Sequence, residues 1–131
     1  MSFFDLFKRK QKYQKLEKVE TKEKYWSLTT NEDTIIEPSW KQIQRAVEGA
    51  TSDNSIFATL SYNDANIEIE AIQVMGAEDR YRIEVLPSET SVDYGKIYVK
   101  DGLAYNETLK LFEEFYNRQT VSNYENWIKE I

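Results

Sequence analysis

Between Ile56 and Lys100 apolar and polar residues alternate in four short runs, and this pattern commits the middle of the chain to an antiparallel meander. The runs are Ile56–Tyr62, Ile67–Val74, Arg80–Leu86 and Lys96–Lys100. Asn63-Asp64-Ala65-Asn66 and Gly76-Ala77-Glu78-Asp79 separate the first three, and Pro87 closes the third. Within the second run the apolar phase changes, because Ile67 and Ile69 share one parity and Ile72 and Val74 the other. A bulge near Ala71 is expected to bring all four onto one face. Glu68 and Glu70 then point from the opposite face toward Arg80 and Arg82 on the next strand, either as a solvated ladder of ion pairs or as an acidic surface for a basic partner.

The flanks read as helices. Trp40, Ile43 and Val47 recur at spacings of three and four behind Pro38, whose fixed φ suits a first turn, and Gly49 stands where a left-handed cap would end the helix. Trp40 serves either the core or a partner. After Asp101-Gly102, Asn106 is the expected N-cap of a helix carrying Leu109, Phe112 and Tyr116, with Leu111 and Phe115 beside them. Ser122 and Glu125 have the spacing of a capping box for a last short helix bearing Trp127, Ile128 and Ile131. Tyr25-Trp26-Ser27-Leu28 can add an edge strand. The expected fold is therefore α+β, an antiparallel four- to five-stranded meander sheet with helices packed on one face.

Charge divides the chain near residue 25. Residues 1–24 hold eight Lys or Arg against four acids, and the remaining 107 residues hold nine against nineteen. Residues 1–24 thus form a basic and apolar arm with its linker, and 25–131 a single domain. In the arm, Phe3, Phe4, Leu6 and Phe7 stand before Lys8, Arg9 and Lys10. Those rings either pack on the domain or enter an anionic membrane surface that the cations attract. Nucleic acid is not an expected partner, since the acidic body repels the same phosphates.

The chain has no His and no Cys, which removes thiol sites, imidazole-activated serine sites and the usual tetrahedral zinc site. No calcium-loop or phosphate-loop spacing takes their place. The expectation is a protein that is not an enzyme, with no cofactor and no metal. No run reaches the roughly 20 apolar residues that span a bilayer, and the N-terminus lacks the order of a signal peptide. A cytoplasmic location is expected, with the arm peripheral to the inner membrane face if it meets lipid.

Pro38-Ser39-Trp40 with Ile43 and Val47 after it, a Met75-Gly76 turn leading into Arg80-Tyr81-Arg82-Ile83-Glu84-Val85, and a C-terminal helix with a late Trp127 together resemble small immunity proteins of bacterial polymorphic toxin systems. The likeness covers about residues 35–131, and where several such families carry a run of glycines this chain has Gly76 alone. The resemblance implies a stoichiometric inhibitor of a cognate protein toxin, and the acidic body would steer a basic partner. The residues expected to meet it are Asp64, Glu68, Glu70, Glu78, Asp79, Arg82, Glu84 and Asp93, with Tyr94 as aromatic anchor. The alternative is a membrane-associated adaptor or structural protein working through the Phe3–Lys10 arm.

Overall fold

The computed structural model describes residues 24–50, 56–63, 67–77 and 80–130. The described chain forms one seven-stranded antiparallel sheet with two helices. Its strands are β1 (Tyr25–Thr30), β2 (Thr34–Ile36), β3 (Phe57–Asn63), β4 (Ile69–Ala77), β5 (Arg80–Pro87), β6 (Ile97–Leu103) and β7 (Ile128–Glu130), in the order β2-β1-β3-β4-β5-β6-β7. Helix α1 (Trp40–Gly49) joins β1–β2 to the meander, and α2 (Tyr105–Arg118) follows it.

Cross-strand register makes the two faces chemically distinct, because residues directly opposite each other share a face. One row runs Ile35, Leu28, Leu60, Ile72, Val85, Tyr98 and Lys129 across all seven strands. Leu28, Leu60, Ile72, Val85 and Tyr98 belong to the main core with Ile43 and Val47 of α1 and Phe112 and Phe115 of α2, and Ile35 packs against it. The row one residue along, which must stand on the other face, reads Thr34, Thr29, Thr59, Gln73, Glu84, Val99 and Ile128. It is polar over five strands and apolar at the β7 edge.

The register of β4 against β5 shifts between Ile69 and Ala71. That irregularity places Ile69, Ile72 and Val74 together in the main core, whereas Ile67, expected with them, lies half-buried ahead of β4 and outside that core.

Several local expectations give way to other physics. The sheet has seven strands where four or five were expected, because β2 and β7, of three residues each, pair with β1 and β6, so that β1, expected at an edge, is an internal strand. Trp127 and Ile128 do not mark a helix: a 3₁₀ turn at Tyr124–Asn126 leads straight into β7, and Ile131 lies outside the described residues. Ser122 bonds Glu114 of α2 through both its N–H and its hydroxyl instead of boxing with Glu125. Helix α1 starts at Trp40, two residues after the proline expected in its first turn, with Ser39 as N-cap and Gln42 closing the box through Ser39 N at 2.8 Å and Ser39 Oγ at 3.2 Å. It ends in Ala50 with a right-handed backbone, so Gly49 is not a left-handed cap. Helix α2 opens at Ala104 rather than Asn106, and Glu107 Oε1 accepts the Ala104 N–H at 3.1 Å. Met75 and Gly76 lie within β4 and not in a turn.

Candidate partner-binding surface

The connection from β5 to β6 is built to hold one short loop still. Ser88 is buried at its base, and the hydroxyls of Ser88 and Thr90 both donate to the Ile67 carbonyl on the β3–β4 side. Ser88 N–H adds a bond to Glu68 O at 2.8 Å. Two successive tight turns follow, closed by Tyr94 N to Ser91 O and Lys96 N to Asp93 O at 3.2 and 3.0 Å. Gly95 sits at φ +92°, where a side chain would be strained.

The far end of the loop is pinned by Asp93. Its carboxylate accepts from Tyr98 Oη at 2.7 Å and lies 3.5 Å from Lys129 Nζ of β7 and 3.6 Å from Lys96 Nζ. The Tyr98 hydrogen bond, then the two lysines, hold the Asp93 carboxyl below the usual aspartate range. Lys129 also lies 5.3 Å from the centre of the Tyr98 ring. On this braced tip Val92 is 98% exposed and Tyr94 46%, and Ile128 on the neighbouring edge is 66% exposed. These are the large apolar side chains that the described surface leaves in water, and they cluster around β7 and the loop beside it. An apolar and aromatic tip on a pre-ordered backbone can bind a protein without first losing loop entropy.

The other expected site residues fall into separate groups. Asp64, Glu78 and Asp79, like Phe3, Phe4, Leu6, Phe7, Lys8, Arg9 and Lys10, lie outside the described residues. Glu68 is exposed and accepts from Tyr124 Oη at 2.6 Å rather than pairing with Arg82. Glu70 is half-buried in β4. Arg82 reaches Glu84 and Asp101 at 3.4 Å and Glu130 at 3.1 Å, tying three strands together. Sequence reasoning reached Asp93 and Tyr94 through their turn setting. It missed Val92, because one apolar residue in a loop carries no period, and Lys129, whose partner Asp93 is 36 residues away.

Glu84, expected as a surface charge, is 5% exposed and belongs to a buried chain of polar contacts. Thr59 Oγ1 donates to Gln73 Oε1 at 2.5 Å, Gln73 Nε2 donates to Glu84 Oε1 at 3.1 Å, and Glu84 Oε2 meets Arg82. Burial outweighs the Arg82 attraction and raises the Glu84 carboxyl above the ordinary glutamate value. The folded state therefore holds this proton more tightly than the unfolded chain does. The contribution to stability is largest where Glu84 is protonated, and it declines as pH rises from the ordinary glutamate value through the raised folded one. Glu84→Gln should be at least as stable as the parent at pH 7, with the difference vanishing as both are acidified. A urea unfolding series checks this, and a loss of more than about 1.5 kcal/mol at pH 7 would mean the charge itself is needed.

Among the described residues, no group of three or more carboxylates is placed to hold a metal ion, and no helix is long and apolar enough to cross a membrane. No protein-family model, no curated protein and no solved structure matches this chain.

Proposed function

We propose that this chain is a non-enzymatic immunity-type protein that binds and neutralises a cognate bacterial toxin, and that the β5–β6 loop with the β7 edge is its contact surface. The observation that carries the reading is the pairing of exposed Val92 and Tyr94 with a loop fixed at both ends by Ser88, Thr90 and Asp93. Natural binding sites concentrate their energy in a few such anchors on rigid supports. The acidic body supplies the second element. A basic toxin would be drawn to it at long range, and the apolar tip would then set the residence time. The helices, both packed into the core on one side of the sheet, serve as the scaffold that keeps this edge in place. The reading is tested by titrating the product of the neighbouring gene with this protein and following residual toxin activity.

A further inference from the structure

Among the described residues the sheet ends on β7, so one side of that strand's backbone has no strand beside it. Its three residues are all exposed. Sheet edges are commonly protected by charged side chains held out over the unpaired backbone. Here both charges are drawn back onto the molecule's own strands. Lys129 Nζ lies 3.5 Å from Asp93 and over the Tyr98 ring, and Glu130 Oε1 lies 3.1 Å from Arg82 of β5. The opposite edge differs, because every residue of β2 is half-buried.

Register fixes what an added strand would meet. Ile128 stands opposite Val99 and Glu130 opposite Ile97, so both lie on the second face and Lys129 on the first. Val99 is buried, whereas Ile128 ends the row in water. Beside it, the exposed carboxylates of Glu130 and Asp101 share one guanidinium, that of Arg82, with Glu84.

We propose that a partner protein adds an extended segment to β7, continuing the sheet by one strand, with an apolar residue opposite Ile128 and a Lys or Arg opposite Glu130. Those two residues stand two positions apart in the segment, the spacing that puts both on one face and in register. Backbone bonds to β7 supply affinity, and the apolar and basic pair supplies the choice of partner. The Lys129 to Asp93 contact joins this edge to the Val92–Tyr94 tip, so strand and tip form one continuous surface. That the partner is a toxin rests on the reading above, while the pairing with β7 does not. A second copy is a poor occupant. Antiparallel self-pairing about Lys129 sets Lys129 against Lys129 and Ile128 against Glu130, between two chains of net charge −6 each.

The probe is a short synthetic peptide in which lysine and valine alternate between threonines. Added to about 1 mM, it should shift the amide signals of Ile128, Lys129 and Glu130 in the full chain and slow their exchange on the order of tenfold, sparing Thr34–Ile36. Three control peptides should each bind on the order of tenfold more weakly: one with lysine and valine adjacent, one with glutamate for lysine, and one with methylated backbone nitrogens. No shift at β7, equal shifts at β2, or equal binding of the methylated peptide would overturn the proposal. Shifts at β7 that grow with protein concentration alone would assign the edge to a second copy and overturn it too. The product of the neighbouring gene separates this pairing from the toxin reading. Inhibition by a complex in which the β7 amides exchange as fast as before would defeat the added strand alone, whereas peptide pairing at β7 without inhibition of that product would defeat the toxin reading alone.

Discussion

Tyr124→Ala should lower stability by about 3–5 kcal/mol, the usual cost of truncating a buried aromatic, with a fall in Tm on the order of 10–20 °C. Tyr124 is 2% exposed, stacks edge-on against Tyr98 with ring centres 5.0 Å apart, and donates to Glu68. Those contacts matter beyond their own area. All three residues of β7 are exposed, so that strand buries too little to hold itself against β6. The 3₁₀ turn around Tyr124 delivers the chain to it, through Asn126 N to Asn123 O and Trp127 N to Tyr124 O at 3.1 and 3.0 Å. Losing the ring should release β7 together with the Glu130 and Lys129 ion pairs, and so loosen the loop that Asp93 pins. Tyr124→Phe should cost far less, on the order of 1 kcal/mol for one hydrogen bond. Calorimetry of the pair separates ring from hydroxyl, and equal losses in both would contradict the packing argument.

Tyr94→Ala should leave the fold intact and shorten the life of the proposed toxin complex. The ring is too exposed for its removal to open a core cavity, so a change in stability within about 0.5 kcal/mol is expected. At the interface the same truncation should cost about 2 kcal/mol, a dissociation rate roughly 30-fold faster with association little changed. Val92→Ser should act in the same direction. Surface-immobilised kinetics read both rates, and dissociation unchanged by either substitution would place the contact elsewhere.

Much of the fold was legible because alternation repeats over four successive runs, and the parity break at Ala71 even marks the bulge. The edge strands were not. Thr34–Ile36 and Ile128–Glu130 are too short for a period to show, and each exists because a partner strand lies beside it. Trp127, Ile128 and Ile131 matched helical spacing over a single turn, where one apolar coincidence is enough to mislead. At the candidate site, turn chemistry around Asp93 and Gly95 pointed to the loop, yet its bracing by Ser88, Tyr98 and Lys129 depends on tertiary contacts. The polar row on the second face was hidden for a different reason. Thr59, Gln73 and Glu84 alternate as surface positions normally do, and only their burial in the folded chain reverses their meaning.

A stoichiometric inhibitor is consumed one for one by its target. If the proposal holds, a purified cognate toxin, held well above its Kd and titrated with this protein, should lose activity in a straight line that reaches zero at one equivalent, with the protein recovered chemically unchanged. No inhibition at a large excess would contradict the toxin-binding reading. Complete inactivation by a small fraction of an equivalent would contradict it from the other side, since turnover would make this chain an enzyme.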